Sequence, residues 1–115
     1  MAVRVLEKKE YFFEPLNGTI GPGEAKIARF VTDEISSTLG GGIVMMEKCK
    51  FPWTVRYDEI LYVTEGVIII ESNGEKMVGK EGDSFFIEKD TPIIYETDTQ
   101  GTFLFSLYPA NWNKI

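Results

Sequence analysis

The chain has 115 residues, enough for one domain with one modest core, and we expect residues 1–115 to form that single domain. Hydrophobic residues make up 43% of the sequence and charged residues 26%, which is typical of globular proteins and excludes a fibrous or disordered chain. The formal net charge is -6 and the basic residues are scattered, so neither nucleic acid nor an anionic membrane is an expected partner.

No segment predicts a membrane span or a secretory signal. The longest apolar runs, residues 60–63 and 67–70, are far shorter than the roughly 20 residues that cross a bilayer. The N-terminal residues lack an uninterrupted apolar stretch, so we expect a cytoplasmic protein. The single cysteine, Cys49, has no disulfide partner in the chain and is interpreted as a small buried hydrophobe.

Short runs rich in Val, Ile, Tyr, Phe and Thr alternate with turn signals along almost the whole sequence. This pattern is typical of an all-β barrel or sandwich. The predicted strands are 3–7, 10–14, 26–31, 42–48, 53–63, 67–72, 75–79, 84–88, 93–97 and 102–108. Residues 32–39 fit either a helical turn or a loop, and Gln100-Gly101 is interpreted as a turn. The clearest turn is Asn73-Gly74, because these residues adopt the positive φ angles of a type I′ hairpin.

Two predicted strands, around residues 60–63 and 67–70, are apolar on both faces. A barrel strand buries only its inner face by itself, so we expect a further layer to cover the outer face. With almost no helix predicted, that layer is expected to be a second sheet and then a partner subunit. The sequence therefore predicts a homodimer.

The segment GEKMVGK, residues 74–80, has the spacing of a phosphate-binding loop. Such a loop connects a strand to a helix and ends in Ser or Thr, which binds magnesium. Here Glu81 follows the lysine, and the segment is predicted to be one arm of a hairpin. We therefore reject it as a nucleotide site.

The stretches WTVRYDEILYVTEG and GDSFFIEKDTPII resemble the two motifs of the cupins. In cupins the first motif supplies two histidines and a glutamate to one metal ion, and the second motif supplies a third histidine. Here the two histidine positions of the first motif hold Trp53 and Val55, the glutamate position holds Glu59, and the third histidine position holds Ile93. The resemblance implies an all-β cupin fold, which is a double-stranded β-helix or jelly-roll barrel.

The loss of three ligand positions argues against a transition-metal site. Cupin metals are held by imidazole donors at fixed angles, and the sequence contains no histidine. We therefore predict no metal of this kind and none of the metal-dependent cupin reactions. Calcium or magnesium bound through oxygen atoms of Asp58, Glu59 and a bound phosphate stays open.

A closer resemblance covers residues 31–112. The segments FPWT, YDEI and YPANW, together with GDSFFIEKDTPI, resemble the EutQ proteins of ethanolamine utilisation. This implies a role in ethanolamine metabolism, commonly within a bacterial microcompartment, and an acetate kinase activity that interconverts acetate plus ATP with acetyl phosphate plus ADP. No tightly bound cofactor is expected, and ATP and magnesium would enter as a substrate complex. Family members usually carry a further N-terminal segment, so we expect either an excised domain or a stand-alone relative.

Strand alternation predicts which side chains share a face with Glu59. If Glu59 points into the barrel, Trp53, Val55, Tyr57 and Leu61 point inward too, while Arg56, Asp58 and Ile60 point outward. A carboxyl group in such an apolar pocket has a raised pKa and exchanges protons near neutral pH. The candidate catalytic residues are Glu59, Tyr57 and Asp58, and the candidate pocket residues are Trp53, Val55, Leu61, Ile93, Tyr95 and Tyr108.

Each candidate has a structural alternative. Glu59 is either a functional group or a relic of the metal site, hydrogen-bonded to Tyr57, Tyr95 or the backbone. Asp58 is a weaker candidate because alternation directs it to solvent, and Arg56 is interpreted as a surface charge that would bind phosphate only if the strand were bulged.

Three functions remain in view. The first is a kinase that acts on acetate and ATP through Glu59. The second is a non-catalytic module that binds a small carboxylate or nucleotide, or docks onto microcompartment proteins. The third is a metal-free cupin isomerase or epimerase, which is disfavoured because these enzymes generally use a histidine base and the chain has none.

Overall fold

The computed structural model of the protein describes residues 2–114 and is built mainly of antiparallel strands. The strands are β1 (Glu14–Pro15), β2 (Glu24–Val31), β3 (Gly40–Thr54), β4 (Asp58–Ser72), β5 (Glu75–Lys80), β6 (Ser84–Ile87) and β7 (Pro92–Tyr108). Short 3-10 helices at Lys8–Glu10 and Trp112–Lys114 flank them. The strands join in one sheet of order β1-β2-β3-β7-β4-β5, and β6 pairs with β4. Within residues 2–114, none of the helices is long and apolar enough to cross a membrane.

The long strands curl around an interior. In β7 the rings of Tyr95 and Phe103 stack with centroids 5.5 Å apart, whereas a straight strand would separate these residues by about 26 Å. The registers shift between Glu47 and Cys49 in β3 and next to Gly66 in β4. Gly66 has a φ of +69°, which glycine adopts without strain. These irregularities let one sheet bend and enclose a core.

The inner faces of the strands form one hydrophobic cluster. Phe103, Leu61 and Ile68 are among its largest fully buried side chains. Cys49 belongs to the same cluster and is 3% exposed, which confirms its interpretation as a small buried hydrophobe.

Apolar side chains remain exposed on the outer face of β4, β6 and β7. Ile60 pairs with Phe86 across the β4–β6 ladder, and Tyr62 pairs with Leu104 across the β4–β7 ladder. We call these four residues the outer patch; Leu104, the least exposed, is 42% exposed and Phe86, the most exposed, is 67% exposed. The apolar outer face predicted for residues 60–63 is therefore present and open, whereas residues 67–70 are at least half-buried.

The predicted strand pattern is largely confirmed from β2 to β7. Asn73 and Gly74 form the predicted turn between β4 and β5, with φ angles of 52° and 77°. Residues 74–80 run into β5, not into a helix, as expected for one arm of a hairpin. Residues 32–39 form a loop that contains turns.

The two strands predicted nearest the N-terminus are wrong. Residues 3–7 form no strand, and Val3 and Val5 are 79% and 82% exposed. Of residues 10–14, only Glu14 pairs with β2. The valines and aromatic residues of this segment favour a strand only where a neighbouring strand is available to pair with it.

Several interruptions also differ from the prediction, since the predicted breaks at residues 49–52 and 64–66 lie inside β3 and β4. The predicted strand 53–63 is broken, because the chain bends at residues 55–57 between β3 and β4. Conversely, Gln100-Gly101 lies inside β7 and is not a turn. A Cβ atom on Gly101 would collide with the Val67 carbonyl oxygen and the Ile68 side chain, so this glycine permits close approach of two strands.

Candidate functional site

A cavity of about 460 Å³ lies inside the curled sheet. This volume is within the range of small-molecule pockets. The polar side chains that line it from β2, β4, β7 and the bend before β4 include Arg29, Tyr57, Glu59 and Tyr95. The cavity therefore brings two buried phenols and a buried carboxyl group together, and the exposed side chain of Arg29 also contributes to its lining.

Glu59 is the most buried of these polar groups, with 3% of its surface exposed. The Tyr95 hydroxyl donates a hydrogen bond to Glu59 Oε1 over 2.6 Å. Burial raises the pKa of Glu59 to about 7, although the Tyr95 hydrogen bond opposes that rise. Both the neutral and the ionised carboxyl are therefore populated near neutral pH.

Tyr57 keeps its own proton for a further partner. Trp53 Nε1 donates to the Tyr57 hydroxyl oxygen over 3.0 Å, so in this hydrogen bond the phenol is the acceptor. Burial, and then the neighbouring Glu59, raise the pKa of Tyr57 above its ordinary value. The phenol therefore stays protonated at neutral pH and is available as a donor to a ligand in the cavity.

Aromatic rings fix the position of these polar groups. Trp53 stacks with Phe51 at a centroid distance of 5.9 Å and meets Trp112 edge-on at 6.0 Å. Trp112 also packs at 5.2 Å from Tyr57, and Phe51 stacks on Tyr95 at 6.4 Å. Because these large rings contact one another, the two phenols have little freedom to turn away from the cavity.

Four of the residues predicted for the site line this cavity: Glu59, Tyr57, Trp53 and Tyr95. The predicted alternation of buried and exposed positions also holds across residues 55–61, despite the bend. Trp53 is the exception among the predicted inward residues, because it is 36% exposed at the edge of the cavity.

Three predicted pocket residues lie in the core instead of on the cavity wall. Val55 and Leu61 are 0% and 1% exposed, and Ile93 is 4% exposed. They face inward as predicted, but they are not among the residues that line the cavity. Their place corrects the expectation that they line the pocket.

Asp58 and Tyr108 lie away from the cavity, and this too is a correction. They pair with each other across the β4–β7 ladder on the outer side of the sheet, and both are exposed. Asp58 Oδ1 accepts a hydrogen bond from the Lys89 backbone N–H over 2.9 Å, so it stabilises a turn. Alternation explains both positions, since neighbours of inward residues point outward.

Arg29 is a charged cavity residue that sequence reasoning missed. The arginine considered there, Arg56, forms an exposed ion pair with Asp90 at 3.3 Å, in agreement with its interpretation as a surface charge. Arg29 lines the cavity and has the same strand parity as the buried Ala25 and Ile27, but its own side chain is exposed. Strand parity in β2 was the signal that could have identified it.

The residues do not fit the metal site of the cupins. Val55 and Ile93 offer no donor atom, and the Trp53 ring nitrogen donates its proton to Tyr57. Across residues 2–114, no group of three or more His, Cys, Asp or Glu side chains is placed to hold a metal ion. We therefore assign no chemical step to a protein-bound metal.

Known proteins place this chain in a family. The family described as ethanolamine utilisation protein EutQ matches residues 1–114. The acetate kinase EutQ of Salmonella typhimurium (strain LT2) is 34% identical over 113 residues, which is 98% of this chain and 49% of that protein. The chain belongs to the EutQ family of ethanolamine-utilisation proteins. It spans about half the length of the curated EutQ relatives it matches.

Solved structures agree with this assignment to the EutQ family. The crystal structure of ethanolamine utilization protein Q from Salmonella typhimurium LT2 matches with a TM-score of 0.85 at 34% identity, covering 95% of this chain and 88% of that one. An RmlC-like cupin from Shewanella frigidimarina NCIMB 400 matches with a TM-score of 0.76 at 19% identity, covering 95% and 93%. The all-β cupin fold predicted from the sequence is confirmed.

Proposed function

We propose that this EutQ chain binds acetate in the barrel cavity and transfers the γ-phosphoryl group of ATP to it. Relatives that are 32% to 37% identical carry the name acetate kinase EutQ. The observation that carries the proposal is Glu59, a buried carboxyl group with a pKa of about 7 on the wall of the barrel cavity. Burial of such a group is unfavourable unless a ligand or a neighbouring group forms hydrogen bonds with it.

The proton balance of the reaction defines what Glu59 would do. An acetate oxygen bonds to the γ-phosphorus of ATP while the bond from that phosphorus to the β–γ bridging oxygen breaks, which gives acetyl phosphate and ADP. The acetate anion has no proton to lose, so the step needs no general base. Protonated Glu59 and Tyr57 would instead donate hydrogen bonds that hold and orient acetate.

Magnesium belongs to the substrate in this proposal. Phosphoryl transfer depends on positioning and on neutralising the phosphate oxygens, which Mg²⁺ bound to ATP supplies. This agrees with a site that contributes hydrogen-bond donors and a cation but no cluster of carboxylates among residues 2–114.

The test is ADP formation from Mg-ATP by the 115-residue chain, measured with and without acetate in a coupled assay. We expect acetate-dependent turnover that falls by about 10² or more in Glu59→Leu, because that variant removes the carboxyl donor. Glu65→Leu, an exposed position on the same strand, is the matched control and should retain activity. Full activity in a folded Glu59→Leu protein would place the chemistry elsewhere.

The second candidate is a module that binds its ligand without turnover. The observation that favours it is that residues 74–80, which have the spacing of a phosphate-binding loop, run into β5 and not into a helix. Saturable acetate binding with no ADP release would support this candidate over the kinase.

Association with a bacterial microcompartment is a further part of the proposal, and co-sedimentation of the chain with purified microcompartments tests it.

A further inference from the structure

Arg29 is a cavity cation that has no partner of its own. It lies two residues after the buried Ile27 in β2 and opposite Gly42 of β3, and its side chain is exposed where it lines the cavity. The ion pairs within residues 2–114 involve Arg56 and several lysines, and none involves Arg29. Its guanidinium group therefore keeps its full set of donors for a ligand.

Tyr57 and Arg29 both line the cavity. Burial and then Glu59 raise the pKa of Tyr57, and the positive charge of Arg29 opposes that rise to a smaller extent. A guanidinium fork and a phenol proton together match the two oxygens of a carboxylate. Such a pair of donors distinguishes an anionic ligand from a cationic one.

The carboxylates at the rim of the cavity form no ion pair with Arg29 among residues 2–114. Asp33 also lines the cavity, and it forms an ion pair with Lys114 at 2.6 Å. Glu14 is the other rim carboxylate near β2, and it forms no ion pair within residues 2–114. Glu14 is therefore a negative charge that opposes anion binding, and its removal should strengthen it.

An apolar wall stands in the same cavity as these donors. Ile27, Val44, Met46 and Phe103 contribute to it, and all of them are buried. The cavity volume of about 460 Å³ is much larger than a two-carbon acid fills. When acetate is bound, part of this apolar surface stays in contact with water, and a longer aliphatic chain would bury it.

We propose that Arg29 and Tyr57 bind the carboxylate of an aliphatic monocarboxylic acid whose chain packs against this wall, so that acids longer than acetate bind more tightly than acetate. The inference rests on the proposed function in one respect, namely that the cavity is the ligand site. It adds the residues that recognise the anion and the class of acid that fits.

The chain carries its own reporter for this test. Its only two tryptophans, Trp53 and Trp112, both line the cavity. Their fluorescence is followed while the 115-residue chain is titrated with acetate, butyrate and hexanoate at constant ionic strength. Inorganic phosphate serves as an anion without a chain, and butylammonium as a chain with the opposite charge.

We expect affinity to increase about fourfold for each methylene group added. Arg29→Gln should lower the affinity for every acid by about tenfold or more, because a charge-assisted hydrogen-bond pair is lost. Arg29→Lys keeps the charge but not the forked guanidinium group, so its affinity for the acids should lie between those of the unmodified chain and Arg29→Gln. Arg56→Gln is the matched control and should bind like the unmodified chain, while Glu14→Gln should bind acids more tightly.

The outcomes separate this inference from the kinase proposal. Chain-length-dependent binding that needs Arg29, without ADP formation, upholds the inference and contradicts the kinase. Acetate-dependent ADP formation that a folded Arg29→Gln protein retains upholds the kinase and overturns the inference. Tighter binding of butylammonium than of butyrate, equal affinity for acetate and hexanoate, or no binding of any acid would each overturn the inference as well.

Discussion

The inner and outer faces of β4 each depart from the usual distribution of side chains. A strand with one solvated face normally directs apolar residues inward and polar residues outward. Here the inner face includes the carboxyl of Glu59, while the outer face exposes Ile60 and Tyr62. A buried acid and an exposed apolar patch are both unfavourable in an isolated chain. The two departures therefore predict two different interactions, with a ligand inside the barrel and with a partner outside it.

The inner departure gives the largest expected effect. The pKa of Glu59 is about 7 in the folded chain and 4.5 in its unperturbed form, so the folded state binds more protons between those values. The stability that protonated Glu59 contributes is complete below about pH 4.5 and is lost as the pH rises through 7. We expect Glu59→Gln to be more stable than the unmodified chain by about 3 kcal/mol at pH 8, and nearly equal to it at pH 4.

Urea unfolding at both pH values, at one protein concentration, measures this difference. Glutamine keeps the oxygen that accepts the Tyr95 hydrogen bond, so the comparison isolates the charge. Glu65→Gln, at an exposed position on the same strand, should show no such pH-dependent gain. Equal pH slopes for Glu59→Gln and the unmodified chain would mean that the carboxyl is not desolvated.

The outer departure predicts association. We propose that a second copy of the chain covers the outer patch, because the four patch residues carry no charge and a two-fold dimer is the commonest closed assembly. Ile60→Asp should weaken the dimer by about 2 kcal/mol or more, since it places a charge in the apolar contact. Light scattering over a concentration series measures the effect.

The matched control is Ile35→Asp, an isoleucine that is 46% exposed in the loop before β3, compared with 54% for Ile60. This variant should remain a dimer. A monomeric unmodified chain at micromolar concentration would contradict the proposal, as would equal weakening by both substitutions.

A smaller effect is expected from the hydrogen bond inside the cavity. Tyr95→Phe removes the donor that stabilises ionised Glu59, so the pKa of Glu59 should rise further. We expect a loss of about 1.5 kcal/mol of stability at pH 8 and a smaller loss at pH 5. Tyr108→Phe, at an exposed position outside both the cavity and the outer patch, is the control. A loss that is the same at both pH values would show that packing alone is affected.

The smallest effect is expected at the surface. Arg56→Gln breaks the ion pair with Asp90, whose two side chains are 59% and 58% exposed. Such pairs contribute less than about 1 kcal/mol, so thermal unfolding should shift little. A large loss of stability or activity would return Arg56 to the list of functional candidates.

The parts of the fold that depend on local chemistry were predictable from sequence. The Asn73-Gly74 hairpin follows from the φ angles of its own residues, and the inward position of Glu59 follows from motif spacing and alternation. Arg29 required the same alternation argument on β2, which becomes decisive only when β2 is known to face the cavity. The exposed N-terminal valines illustrate the opposite limit, since strand formation there depends on a partner that the local sequence does not specify.

The buried thiol of Cys49 makes the chain suitable for measuring how its sheet opens. Burial is the main reason that the pKa of this thiol is raised, and thiol reagents attack the thiolate. With no second cysteine in the sequence, the rate of modification reports one position only, near the register shift of β3. That rate, measured with and without a bound acid, gives the free energy of local opening of β3 near its register shift. A slower rate with the acid would show that a ligand in the cavity stabilises the strand against opening.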